Sequence, residues 1–249
     1  MKFRPCIDLH DGRVKQIVGS TLGDDKLVEN YISEHDPEWF VNLFRKDELT
    51  GGHVIMLGAG NENAAFRALN AWPLGLQVGG GINLQNAEKY LKAGASHVIV
   101  TSYLFCDEML DMARLEDISS EVGNKRLVID LSCDKLGDSY FVKTDRWSTW
   151  TNFEINEDNL RLLSEYCDEI LIHAVNVEGK KSGIDSELVR LLGEIAVQPV
   201  TYAGGVRDLN DLRKIKELGN DRIDVTIGSA LDIYGGNLNY NEVVSFFEK

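Results

Sequence analysis

The sequence predicts an α/β fold, a closed (βα)8 barrel of the TIM type, on three observations. Eight short apolar segments alternate with eight helix-patterned segments along 249 residues. Such alternation makes the strands parallel and the crossovers right-handed, and eight units in this length favour a closed barrel over an open sheet. No linker, low-complexity tract or shift in composition divides the units, so a single barrel domain over residues 1–249 is expected. The third observation is an internal echo. Val78-Gly79-Gly80-Gly81-Ile82 leads through one helix to Val100-Thr101-Ser102, and Tyr202-Ala203-Gly204-Gly205-Val206 leads through another to Ile227-Gly228-Ser229. Units three and four thus repeat as units seven and eight, half a barrel apart. A closed barrel sets them on opposite sides of one mouth, related by a pseudo-twofold axis.

The elements follow in order. Phe3 to Leu9 is strand one and carries Asp8 near its end. His10-Asp11-Gly12-Arg13 is a turn, and the segment to Asn30 reads as a long polar loop. Asp36-Pro37-Glu38 opens a helix to Lys46, with an acid before it and proline at its first position. His53 to Gly58 is strand two, Asn61 to Ala71 a helix, Leu76 to Val78 strand three and His97 to Val100 strand four, with a helix between the last two. Asp107 to Val122 reads as a helix and Arg126 to Leu131 as strand five, which carries Asp130. Ser132 to Ile155 is irregular and holds Trp147 and Trp150 among polar residues, so it reads as a mobile loop over a site. Asn156 to Tyr166 is a helix and Glu169 to His173 strand six. Val175 to Gly183 is a glycine-containing loop, Asp185 to Ile195 a helix and Pro199 to Tyr202 strand seven. Leu209 to Leu218 is a helix, Asp224 to Ile227 strand eight, and Glu242 to Phe247 the closing helix.

Composition sets limits. A 43% hydrophobic content supports one large core. The formal charge of -14 argues against nucleic acid or anionic membrane as partner. It does not argue against a phosphorylated substrate, because backbone amides hold phosphate whatever the net charge. The four cysteines form no CxxC pair and the five histidines no zinc-like spacing, which points to a reducing compartment and no structural metal. No apolar run reaches the ~18 residues of a membrane span. A strand beginning at Phe3 leaves no room for a signal or transit peptide in this chain, and a cytoplasmic location is expected, or a plastid stroma if a transit peptide was removed. A complete barrel is compatible with a monomer.

The chemistry belongs at the C-terminal ends of the strands. Glycines after a strand let the backbone approach a ligand, and the next amides can hold an anion. Two such units imply a substrate with a phosphate at each end. Asp8 and Asp130 lie on strands four units apart and should face each other across the middle of that substrate, one as general base and one as general acid. Trp147 reads equally as loop packing or a substrate platform, and His173 equally as a core histidine bonded to a neighbour or a functional one.

These residues have a family likeness. Pro5-Cys6-Ile7-Asp8-Leu9-His10-Asp11-Gly12-Arg13-Val14, Gln77-Val78-Gly79-Gly80-Gly81-Ile82, Ala203-Gly204-Gly205-Val206 and Ile227-Gly228-Ser229 resemble the histidine-biosynthesis barrels, namely the phosphoribosylformimino-5-aminoimidazole carboxamide ribotide isomerases and the cyclase subunits of imidazole glycerol phosphate synthase. The likeness runs over essentially the whole chain. Arg126 to Cys133, Leu171 to Gly179 and Leu231 to Leu238 resemble the eukaryotic-type branch of the isomerases. The resemblance implies an Amadori rearrangement of an aminoaldose to an aminoketose without metal or organic cofactor, Asp8 acting as base and Asp130 as acid. It implies that Gly81, Thr101 and Ser102 hold one phosphate of a bis-phosphate ribotide, that Gly205, Gly228 and Ser229 hold the other, and that Trp147 folds over the substrate.

The chain departs from the bacterial pattern twice. There the strand-five aspartate falls at Ser132, two residues after Asp130 and on the same face of a strand. Asp134 is the alternative acid. Where the bacterial enzymes carry a threonine after strand six, this chain has Ala174, and His173 or Asn176 is left to do what that hydroxyl does. Two other functions share the scaffold: the cyclase, which takes ammonia from a glutaminase partner, and a non-catalytic phosphosugar-binding module. The tryptophan-bearing segment after strand five favours the isomerase over the first, and retention of both aspartates speaks against the second.

Overall fold

The computed structural model describes residues 1–17, 29–180 and 182–248. The elements run β1 (Cys6–His10), β2 (Arg13–Ile17), β3 (Glu29–Ile32), α1 (Pro37–Lys46), β4 (Gly52–Met56), α2 (Glu62–Ala71), β5 (Leu76–Gly79), α3 (Ala87–Lys92) and β6 (Val98–Val100). They continue with β7 (Phe105–Cys106), β8 (Met109–Leu110), α4 (Met112–Val122), β9 (Leu127–Leu136), β10 (Ser139–Thr144), β11 (Thr149–Glu154), α5 (Glu157–Ser164) and β12 (Glu169–Ala174). The last are α6 (Ser186–Ile195), β13 (Val200–Ala203), α7 (Leu209–Leu218), β14 (Ile223–Thr226) and α8 (Tyr240–Phe247).

Strands β1, β4, β5, β6, β9, β12, β13 and β14 lie side by side in that order, each parallel to the next. The ring closes just before β1. Phe3 bridges Val225 in parallel, Arg4 N donates to Val225 O at 2.8 Å, and Val225 N donates to Lys2 O at 2.9 Å. The fold is the expected (βα)8 barrel.

Inside the ring the side chains form layers. Ile55, Ile99, Val128, Leu171 and Ala203 make an apolar plug. Toward the N-terminal strand ends lies a polar layer. Glu169 there accepts hydrogen bonds from Gln77 Nε2 at 2.9 Å and from Thr201 Oγ1, and Asp224 receives Arg4 Nε at 2.9 Å. The second Arg4 nitrogen, Nη2, reaches Asp224 at 2.8 Å and Glu169 at 3.8 Å, so the seam is also an ion-pair cluster. Outside the ring, helices bury one face, such as Phe40, Val41 and Phe44 of α1. Asp111, Asn156, Asp185, Asp208 and Asn239 each cap a helix by accepting from its first-turn amides.

The structure corrects the reading in three places, each time replacing loop or helix by a hairpin. The first part of the expected polar loop is β2, paired antiparallel with β1 and β3, while residues 18–28 of that loop lie outside the described residues. Asp11 and Gly12 turn it with φ of 51° and 73°, the left-handed pair that a two-residue hairpin favours. The expected helix from Asp107 instead begins at Met112, because Asp107 and Glu108 (φ 49° and 64°) form the turn of the β7–β8 hairpin. The stretch from Ser132 to Ile155 is not irregular: β9 runs on to Leu136 and folds back as β10 and β11.

Candidate active site

A cavity of about 390 Å3 lies at the C-terminal mouth of the barrel. The two nominated aspartates, Asp8 and Asp130, line it together with Trp147 and His173. So do Gly81, Thr101 and Ser102 from one half, and Gly205, Gly228 and Ser229 from the other.

The echo in the sequence is an echo in the backbone. After β5, Gly80 and Gly81 have φ of +94° and +72°; after β13, Gly204 and Gly205 have +126° and +74°. Each turn also contains a close approach. A Cβ on Gly80 would stand 2.1 Å from Met56 O, and one on Gly205 2.2 Å from Gly183 O. Gly81, by contrast, has nothing within 4 Å of its missing Cβ and borders the open cavity. Left-handed glycines followed by amides form a concave anion cradle, and two of them face one cavity. The polar turns after β6 (Thr101, Ser102) and β14 (Gly228, Ser229) line the same cavity.

Between the cradles lie ionisable groups. Asp8 on β1 accepts from Gln16 Nε2 at 3.0 Å. Burial and then the charge of Glu178 lift its carboxyl to about 7, against the opposing pull of His173 and Gln16. Across the mouth, Asp130 on β9 meets His173 on β12, Oδ1 to Nδ1 at 2.9 Å. Burial works against the His173 imidazolium, but Asp130, Glu178 and Asp8 outweigh it and raise the ring to about 9. Burial also raises the Glu178 carboxyl. His53, buried in the same cavity, is pushed down to about 3 by desolvation and by the cations His173 and Arg4, and is therefore neutral.

Some residues fall where the sequence did not point. Asp134 does not line the cavity; its carboxylate lies 3.9 Å from Lys143 Nζ. Asn176 turns to Asp185, at 3.4 Å, and Trp150 lies under Lys143, at 4.7 Å from ammonium to ring centroid. Glu178, Gln16 and Arg146 line the cavity and were missed. Glu178 had a signal, as a carboxylate directly before Gly179 in a glycine-containing loop after a strand. Gln16 had none once its strand was read as loop. Among the described residues no group of three or more His, Cys, Asp or Glu side chains is arranged to hold a metal ion.

The fold and this cavity are those of a barrel enzyme, with two glycine turns of the kind that hold anions and a set of ionisable side chains lining one mouth. The sequence model of the histidine biosynthesis protein family matches residues 2–239, and the chain belongs to that family. It is 50% identical to the chloroplastic 1-(5-phosphoribosyl)-5-((5-phosphoribosylamino)methylideneamino)imidazole-4-carboxamide isomerase of Medicago truncatula, over 99% of this chain and 81% of the relative. It is 48% identical to the isomerase of the same name from Yarrowia lipolytica, over 100% and 98% of the two chains. The Neurospora crassa isomerase is 50% identical over 94% and 93%.

Proposed function

We infer that this chain is the histidine-biosynthesis isomerase for which its relatives are named, an aldose–ketose isomerase that converts the aminoaldose phosphoribosylformimino ribotide to the aminoketose. The observation that carries the reading is the cavity itself, in which two matching glycine cradles flank two carboxylate strands. The cradles suit the two phosphates, and both line the one cavity that also holds the two aspartates.

The chemistry follows from the groups between the cradles. An acid on the β9–β12 side, Asp130 with its partner His173, protonates the ribose ring oxygen and opens the ring to a Schiff base. Asp8, with a carboxyl lifted to about 7, is poised near neutrality to remove the C2′ proton as general base. The enolamine then collapses to the ketose. Trp147, at the tip between β10 and β11, covers the substrate from above. Asp145, Arg146 and Trp147 hold that tip in three successive left-handed conformations. We read the protein as a monomer in the cytoplasm or, like the Medicago relative, in a plastid. No helix among the described residues is long and apolar enough to cross a membrane.

The test is a direct assay with the aminoaldose ribotide, followed in the ultraviolet and coupled to a cyclase and ammonia. Turnover by the purified protein alone is expected in the isomerisation step. Turnover of the ketose with ammonia, and none of the aldose, would make it the cyclase. Tight binding without turnover would leave a phosphosugar-binding module.

A further inference from the structure

The isomerisation needs one proton delivered to the ring oxygen, and the candidates are three ionisable side chains that line the cavity and act on one another: Asp130, His173 and Glu178. They are not three equivalent acids. His173 Nδ1 and Asp130 Oδ1 are 2.9 Å apart, so one ring nitrogen is committed to a carboxylate. Nε2 is the nitrogen left for a ligand, and no hydrogen-bond partner for it is found among the described residues. The pair is braced by the parallel register of β9 and β12, in which His173 stands beside Ser132 and Leu171 beside Asp130. A carboxylate on one nitrogen of an imidazole fixes its orientation and favours its charged form, while the opposite nitrogen carries the proton in play.

We propose that the proton that opens the sugar ring is delivered by His173 Nε2, and that Asp130 is the positioning residue that orients and charges the imidazole. The proposal rests on the isomerase reading above and reassigns its acid. The proton balance closes. The N–H bond of His173 breaks as the ring oxygen gains hydrogen and its bond to C1′ breaks, that bonding pair going to the oxygen. The amine nitrogen's lone pair closes the C1′=N bond of the protonated Schiff base; Asp8 then takes the C2′ proton, and the C–H pair becomes the C1′–C2′ double bond of the enolamine as the C=N pair returns to nitrogen. The enol hydroxyl then returns a proton to His173 while Asp8 gives its proton to C1′. Both groups end as they began, and nothing is oxidised or reduced overall.

The electrostatics agree with the geometry. The groups around His173 are Asp130 on β9, Asp8 on β1, Glu178 in the loop after β12 and His53 on β4, so three acids face it against one neutral ring. Held at about 9, His173 carries its proton at neutral pH. His53, held at about 3, does not.

The experiment is a set of pH profiles of kcat and KM for the wild type, His173→Gln and Asp130→Asn, with imidazole added to His173→Ala. We expect His173→Gln to lose about 10²–10⁴-fold in kcat with KM within a few-fold, and to lose the alkaline limb of the profile. Asp130→Asn keeps residual turnover, with that limb moved to lower pH. Imidazole restores turnover to His173→Ala in proportion to its concentration. An unchanged alkaline limb in His173→Gln, with the heavier kcat loss in Asp130→Asn, would make Asp130 the donor and overturn the proposal. Should the variants not fold, NMR titration of the His173 ring in the wild type decides: a midpoint matching the alkaline limb supports the proposal, and one below about 6.5, the ordinary value, overturns it. A wild type that never turns over the aldose refutes the isomerase reading instead.

Discussion

Gln16 gives one amide hydrogen to Asp8, Nε2 to Oδ2 at 3.0 Å, while its carbonyl oxygen Oε1 lies 2.6 Å from where a Cβ on Gly228 would stand. One side chain thus braces the candidate base and packs against the turn of the second cradle.

Replacing it tests the brace. A donor to a carboxylate favours the charged form, so Gln16→Leu should raise the Asp8 pKa above about 7. Asp8 acts as a base only when ionised. The acid limb of kcat/KM is therefore expected to move to higher pH, by about one unit for a hydrogen bond to a charged group. A limb that stays in place in a pH–rate profile would detach Gln16 from the base.

Asp8→Asn should reduce kcat by about 10²–10⁴-fold or more and leave substrate affinity within a few-fold, as measured by single-turnover kinetics and direct binding. The same substitution has an effect on stability with a definite sign. The folded Asp8 has its carboxyl raised from 3.8 to about 7, so the native state binds this proton more tightly than the unfolded chain. Stability from this group is present below pH 3.8 and is lost as pH rises through about 7. Asp8→Asn is therefore expected to melt higher than the wild type at pH 8 and alike at pH 4, a difference that calorimetry at the two pH values reads directly.

The adjacent glycines Gly80 and Gly81 should separate folding from binding. At Gly80, φ is +94° and a methyl would collide with Met56 O, so Gly80→Ala is expected to cost about 3 kcal/mol or more in urea unfolding. At Gly81 the space is open. Gly81→Ala should cost about 1 kcal/mol for its left-handed backbone and raise KM tenfold or more by standing in the cradle. Equal losses of stability in the two variants would contradict the geometry.

Arg4→Met removes the cation that holds Asp224 and Glu169 at the seam. Stripping one partner from a buried ion-pair cluster costs about 3–5 kcal/mol. Chemical denaturation should show that loss, while kcat/KM per folded molecule stays at the wild-type value, because none of the three residues lines the cavity.

Most barrel strands were legible because they are buried on both faces and read as short apolar runs, as in Val98–Val100 or Ile170–Ile172. Helices were legible by their ends; α7 runs from Leu209 to Leu218 as expected, behind the Asp208 cap. The two cradles were legible because they are repeated. The hairpins were not, because their strands carry the polar groups that face the site or solvent. In β10, Tyr140, Val142 and Thr144 are buried while Ser139, Phe141 and Lys143 are partly exposed, a two-residue period broken up by polar residues. In β2 the buried residues include Lys15 and Gln16, which no apolar pattern reveals. The Asp130–His173 bond was illegible for another reason. It depends on the register of β9 against β12, and a register between strands about forty residues apart is a property of the assembled sheet.

The seam has a consequence in time. Lys2 N donates to Asp224 Oδ1 across 222 residues of sequence, so the ring cannot shut until β14 has been made. At about 5–20 residues per second, synthesis separates the two partners by roughly ten to forty seconds. Asp8, on β1, waits that long for the wall that β14 supplies. A nascent chain thus holds the carboxylate in water with ordinary acidity, and the base comes into being only as the final strand docks.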